Sequence, residues 1–143
     1  MAKIVELPVF ADADMGSLGI VEAGKQVDFD IARVFYHFGL PDGAVRGGHA
    51  HRKLKQFVIC LSGAIDVSVT DASGQCNFIL RSPASGLMVP PLSWLDLTSL
   101  NEGSTSIVLC SDKYDESDYI RDLIEFRQVI ETSDQSEIRE GDQ

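Results

Sequence analysis

Residues 65–80 alternate between two sets of side chains at period two. Ile65, Val67 and Val69 interleave with Asp66, Ser68 and Thr70; Cys76, Phe78 and Leu80 interleave with Gln75, Asn77 and Ile79. Successive side chains of a strand point to opposite faces, so this pattern makes a sheet with one buried face and would scatter apolar groups around a helix. Between the two runs lies Asp71-Ala-Ser-Gly74, a turn composition, so the segment reads as a β-hairpin. Further strand candidates are Ile4–Phe10, Gly19–Ala23, Ala32–Phe38, Phe57–Leu61, Gly86–Val89, Trp94–Ser99 and Thr105–Cys110, all rich in β-branched and aromatic residues. Pro41-Asp42-Gly43, Ser62-Gly63, Pro83, Pro90-Pro91 and Gly103 punctuate them. Many short strands separated by turns predict an all-β sandwich or barrel.

One helix is expected near the end of the chain. Tyr119, Ile120, Leu123, Ile124, Phe126 and Ile130 fall at helical spacing with charges between them, and Asp115 or Ser117 precedes them as a cap. Residues 1–130 therefore read as one domain, without repeat or linker. Residues 131–143 read as a polar, acidic, frayed tail.

The chain has 143 residues, enough to bury a single core. Its formal net charge is −10, and the last thirteen residues hold five of the acids against one arginine. Nucleic-acid binding needs clustered positive charge, so that class is excluded, whereas a small anion held by a few placed arginines is compatible. Cys60, Cys76 and Cys110 are odd in number, far apart and set in apolar or alternating runs. They read as buried free thiols of a protein in a reducing compartment. No apolar stretch is long enough to cross a membrane as a helix, and the N-terminal residues lack the pattern of a signal peptide. The expectation is a cytoplasmic protein.

Chemistry concentrates in His49-Ala-His51. On a strand these imidazoles face the same way. Such a pair holds a metal, shares acid–base work, or is a surface coincidence. The spacing around it is Gly43, five residues, His49, one, His51, four, Gln56, six, Gly63. Two histidines and a neutral amide are a poor donor set for a divalent ion, which takes three or four matched ligands. Imidazoles without a metal can serve as general bases near neutral pH.

That spacing resembles the first motif of the cupin superfamily, small jelly-roll barrels, with Gln56 where an acidic metal ligand is usual. The stretch Gly86–Trp94, where a second motif would supply another histidine, has none. The chain further resembles the dTDP-4-keto-6-deoxyglucose 3,4-ketoisomerases, metal-independent cupins of bacterial deoxysugar synthesis for surface glycans such as O-antigen or S-layer. The matching segments are Arg33-Val-Phe-Tyr36, Arg46-Gly-Gly-His-Ala-His51, Leu54-Lys-Gln56, Ser82-Pro-Ala-Ser-Gly-Leu87, Pro90, Trp94 and Tyr114-Asp-Glu-Ser-Asp-Tyr-Ile-Arg121.

The resemblance implies a double-stranded β-helix barrel with a short C-terminal helix, a homodimer with exchanged N-terminal strands, and no cofactor. It also implies a reaction. A base removes the C3 proton, acidified by the C4 ketone; an enediol forms; reprotonation at C4 leaves the ketone at C3. His51 is the expected C3 base, His49 its acid–base partner, and Tyr36 the hydrogen-bond donor to the enediolate oxygen. Arg33, Arg46 and Arg121 are expected to grip the diphosphate, with Lys55, Gln56 and Trp94 as further substrate contacts. Several of these residues have plainer roles open to them. Tyr36 and Trp94 could be packing aromatics, Arg121 could pair with Asp118 or Asp122, and His37, next to Tyr36, would face the other way. The chain departs from the family pattern at Met15, where an arginine is usual, and at Leu95, where an ionisable residue is common, which leaves substrate identity and product configuration open. Two other classes fit the same residues: a non-catalytic nucleotide-sugar-binding cupin, and a related cupin isomerase or epimerase acting on a different sugar. A metal-dependent cupin is a third.

Overall fold

The structure is a computed structural model that describes the backbone of residues 1–141 and the side chains of residues 1–133. Twelve strands and one α-helix run in the order β1 (Lys3–Glu6), β2 (Val9–Asp12), β3 (Gly16–Gly19), β4 (Arg33–Leu40), β5 (Val45–His51), β6 (Gln56–Ser62), β7 (Ile65–Asp71), β8 (Gly74–Leu80), β9 (Ser85–Val89), β10 (Trp94–Ser99), β11 (Ser104–Cys110), β12 (Tyr119–Ile120) and α1 (Leu123–Gly141). Two five-stranded sheets hold most of them, ordered β1-β9-β6-β11-β4 and β12-β5-β10-β7-β8. Their pairings are antiparallel. Val58, Cys60, Leu87 and Val108 of the first sheet meet Ile65, Val67, Val69, Leu80, Leu95 and Leu97 of the second in one buried core. This is the all-β architecture that the alternation predicts, in the jelly-roll form that the resemblance implies.

The hairpin β7–β8 pairs Ile65 with Leu80 through Asp71 with Gly74. Its turn is held by Asp71, whose carboxylate accepts from the Ser73 backbone N–H at 2.8 Å. Cys76, expected inside, is exposed because β8 is the edge of its sheet; Cys60 and Cys110 are buried and free. Burial pushes the Cys110 thiol up to about 11.

Three expectations shift. Ile4–Phe10 is two strands, broken at Leu7-Pro8, where proline cannot continue a ladder. The strand expected at Gly19–Ala23 is displaced to Gly16–Gly19, which closes a two-stranded ribbon with β2. Tyr119 and Ile120 are not helical: they pair with His51 and Ala50 as β12. Asp115 accordingly caps a short 3-10 turn at Glu116–Asp118, accepting from the Ser117 N–H at 3.0 Å. The helix starts later and is capped by Asp122, whose carboxylate accepts from the Ile124 N–H at 2.9 Å. Helix α1 runs to Gly141, and residues 142 and 143 of the expected tail lie outside the described residues. It seats the fully buried Phe126 against Ala50, Ile120 and Trp94, on the face of β5 and β10 away from the core.

Candidate active site

Where β4 of one sheet and β5 of the other come together, side chains do not close the interior. A cavity of about 570 Å³ opens there, with Arg33, Phe35 and His37 on one wall and Arg46, His49, Leu95 and Leu97 on the other. Val58, Val108 and Gln56 form its floor toward the packed core, and Tyr119 and Arg121 border it.

The β5 wall depends on a bulge. Leu95 is opposite His49, but the next residue, Asp96, is opposite Gly47, so Gly48 is the extra residue. Gly47 and Gly48 have φ of 106° and 75°, which side-chain-bearing residues rarely adopt. A Cβ on Gly47 would stand 2.6 Å from the Leu95 carbonyl oxygen. The two glycines, read from sequence as a turn before the strand, lie inside it.

Beyond the bulge His49 and His51 point inward and Ala50 points outward to the helix. Their rings meet edge to face with centroids 5.2 Å apart. His51 is 4% exposed, and its Nδ1 lies 3.1 Å from Oδ2 of the buried Asp118. Asp118 is itself fixed: Oδ1 accepts from the Lys53 N–H at 2.8 Å and Oδ2 from the Leu54 N–H at 3.3 Å. With the carboxylate as acceptor, the proton of neutral His51 sits on Nδ1 and Nε2 carries the lone pair. That Nε2 is buried with no hydrogen-bond partner among the described residues, as is Nδ1 of His49. Buried ring nitrogens without partners are rare outside sites that use them. Burial, reinforced by His49, pushes His51 down to about 4 against the opposing pull of Asp118. Burial also lowers His49.

Tyr119 packs its ring on both histidines, 4.3 Å from His51 and 5.0 Å from His49. Its hydroxyl accepts from Arg33 Nη2 at 3.5 Å, and the Arg121 guanidinium lies 4.2 Å from its ring centre. Arg33 stacks between Phe35 and Tyr114, 5.1 and 5.3 Å from their ring centres. Arg121 is held in a fork by Glu116, at 2.7 and 3.0 Å, and not by Asp118 or Asp122. Hydrogen bonds from Arg121 and Tyr114 bring Glu116 down to about 2.

The structure thus gathers His49, Arg33, Arg46, Gln56 and Arg121 around one cavity, with His51 buried against two of its lining residues, His49 and Tyr119. Two expected residues, Trp94 and Lys55, are placed elsewhere, and a third, Tyr36, meets the cavity from the exposed face of its strand. Trp94 shares the outward face of β10 with Asp96 and packs on Phe126 at 5.6 Å, because Leu95 and Leu97 take the inward positions. Lys55 reaches away to Asp28 at 3.4 Å. Tyr36 is 62% exposed and lies beside Phe38 on the outer face of β4, touching the cavity only at its edge. The inward alternation of β4 is Arg33, Phe35, His37, so Tyr36 and His37 exchange their expected places. Sequence reasoning passed over Asp118 and Tyr119 as ligand-site residues. Their signal was the family-matching segment Tyr114–Arg121, which contains both, but its Asp-Tyr-Ile run reads equally well as a helix start.

A family model described as FdtA, WxcM-like, C-terminal, matches residues 1–131. A TDP-4-oxo-6-deoxy-α-D-glucose 3,4-oxoisomerase of Aneurinibacillus thermoaerophilus is 38% identical over 128 residues, 90% of this chain and 91% of that protein. Among solved structures, QdtA of Thermoanaerobacterium thermosaccharolyticum, a sugar 3,4-ketoisomerase in complex with TDP, aligns with a TM-score of 0.88 at 31% identity, covering 92% of this chain and 96% of QdtA. WlaRB of Campylobacter jejuni, a TDP-quinovose 3,4-ketoisomerase, aligns with a TM-score of 0.82 at 36% identity, covering 87% and 95%. Carried by a cupin jelly roll and matched almost end to end, the chain belongs to the FdtA family.

Proposed function

We propose that this chain is a nucleotide-sugar 3,4-ketoisomerase that converts dTDP-4-keto-6-deoxyglucose to a dTDP-3-keto-6-deoxyhexose. The observation that carries the reading is the His51–Asp118 pair. A buried carboxylate fixes the imidazole tautomer and leaves Nε2 unpartnered on a ring packed against His49 and Tyr119, both of which line the cavity, which is the arrangement of a general base. The relatives named as 3,4-ketoisomerases supply the substrate class.

In this reading the C4 ketone acidifies the C3 proton, and Nε2 of His51 takes it. The substrate approaches that nitrogen from the side lined by His49 and Tyr119. His49 stands beside His51 on the same wall as its acid–base partner. The proton returns to C4 of the enediol, and the oxidation level moves from C4 to C3 within one molecule, so no external oxidant or reductant enters. Arg33, Arg46 and Arg121 supply fixed positive charge for the diphosphate. Incubation with dTDP-4-keto-6-deoxyglucose, followed by chromatographic separation of the products, tests the reading. Conversion to a 3-keto isomer supports it, and recovery of unchanged substrate with bound nucleotide supports a binding protein instead.

The protein is further proposed to be a homodimer. The β2–β3 ribbon leaves Phe10, Met15 and Leu18 at 61–85% exposure, and the outer face of β4 leaves Val34, Tyr36 and Phe38 at 48–73%. Such apolar patches are what an interface between copies covers. Light scattering on the purified chain should give twice the 15.6 kDa chain mass. No helix among the described residues is long and apolar enough to cross a membrane, and the cytoplasm, where nucleotide sugars are made, is the proposed location.

A further inference from the structure

One short turn sends two carboxylates in opposite directions. Asp115 caps the 3-10 turn Glu116–Asp118. Asp118, buried at the end of the turn, holds His51. Glu116, at its start, is exposed, does not line the cavity, and has no part in the reaction. Its two oxygens nevertheless accept from Nε and Nη2 of Arg121, at 2.7 and 3.0 Å. The Tyr114 hydroxyl donates to the same carboxylate.

Folding does not account for this arrangement. Both side chains of the pair are more than half exposed, at 53% and 55%, and exposed ion pairs contribute little to stability. What the fork does is fix a direction. The Arg121 guanidinium lies over the Tyr119 ring at 4.2 Å, on the border of the cavity. A planar group held by a carboxylate along one edge and an aromatic ring on one face keeps its remaining N–H groups for an anion. Tyr114 ties in the second arginine. Its ring lies 5.3 Å from the Arg33 guanidinium and 5.7 Å from the Tyr119 ring, and Arg33 donates to the Tyr119 hydroxyl. Arg33 and Arg121 are thus set on a frame of two tyrosines, and Glu116 joins Tyr114 to Arg121.

We propose that Glu116 is a positioning residue of the diphosphate grip, holding Arg121 against Tyr119 so that the nucleotide meets an arginine already ordered. The inference rests on the ketoisomerase reading, in which Arg33 and Arg121 take the diphosphate. Charge alone predicts the opposite sign. Glu116 is negative like the diphosphate, so removing it would tighten binding, and salt would erase the difference. Positioning predicts weaker binding, because a freed arginine has to be ordered by the ligand, and salt does not remove that cost.

Wild type, Glu116→Ala, Glu116→Gln and Tyr114→Phe test this. Each is titrated with dTDP by calorimetry at low and at high salt, assayed for kcat and KM with dTDP-4-keto-6-deoxyglucose, and unfolded by heat. Glu116→Ala should bind dTDP about 3–10-fold more weakly than wild type at both salt concentrations. KM should rise by a similar factor with kcat within about twofold, the signature of lost uniform binding. Glu116→Gln keeps an acceptor for the guanidinium and should fall between wild type and Glu116→Ala. Tyr114→Phe keeps the ring beside Arg33 and loses only the hydroxyl, so it should weaken dTDP binding by less than Glu116→Ala. Melting temperatures should stay within about 2 °C of wild type. Equal or tighter dTDP binding by Glu116→Ala overturns the proposal, and so does a loss confined to kcat. A loss that Glu116→Gln and Tyr114→Phe do not share, together with a lowered melting temperature, makes Glu116 a structural residue and overturns it too. A wild type that binds dTDP without turning over the keto sugar overturns the ketoisomerase reading, while the dTDP affinities still decide the role of Glu116.

Discussion

Arg46 and His49 are three residues apart on β5, an odd spacing, and yet both face the cavity. A regular strand would put them on opposite faces. The bulge at Gly48 adds one residue and resets the alternation, so the cation and the imidazole share a wall. Gly47→Ala tests this dependence. Its φ of 106° is strained for alanine, and the new Cβ would press on the Leu95 carbonyl, which is backbone and cannot swing away. The variant should lose about 2 kcal/mol or more of stability and lose activity beyond that loss. Urea unfolding and turnover check it; a variant equal to wild type in both would show that the bulge does not position the site.

The role of His51 predicts a clean separation of binding from chemistry. His51→Asn should abolish C3 exchange while keeping the fold and dTDP affinity, as judged by circular dichroism and calorimetry. His49→Asn should slow turnover without abolishing exchange. If the two variants show the opposite pattern, the base is His49.

Asp118 acts through His51. Asp118→Asn keeps the shape but presents an amide to Nδ1 and weakens the tautomer preference, so kcat should drop by about 10²–10⁴-fold. The Lys53 and Leu54 N–H groups would lose a charged acceptor, which predicts a stability loss of about 1–3 kcal/mol. Kinetics and thermal unfolding read the two effects separately.

Stability should depend on pH in a definite direction. Burial lowers His37, His49 and His51, the last to about 4, against an ordinary value near 6.5. Between those values the unfolded chain binds protons that the folded chain does not, so stability is full above about pH 6.5 and is lost as pH falls toward 4. For His51 the full loss is on the order of 3 kcal/mol. In His51→Asn the fall in melting temperature across this window should be visibly shallower; an unchanged slope would mean that His51 does not titrate as its burial requires.

Much of this was legible in the sequence. Alternation placed β7 and β8 to within a residue or so, because period two is unambiguous there, and β-branched and aromatic content placed β10 and β11 as closely. Spacing and family resemblance together singled out His49, His51, Gln56 and the three arginines. What stayed hidden was of two kinds. The direction of Tyr36, His37 and Trp94 depends on which phase of a strand faces inward, and β4 and β10 carry large side chains in both phases. The role of Asp118 depends on a two-residue strand held by β5, a long-range pairing with no local signature. Tyr119 and Ile120 fit a helical stripe as well as they fit β12, and tertiary pairing decided between them.

The most direct test of the central claim is proton NMR of the purified protein with dTDP-4-keto-6-deoxyglucose in D2O containing EDTA. The account predicts deuterium entering the ring above the uncatalysed background, together with a new 3-keto species whose couplings report the configuration at C4. Nucleotide sugar that binds and stays unexchanged would contradict it, and would leave a cupin that recognises its ligand without turning it over.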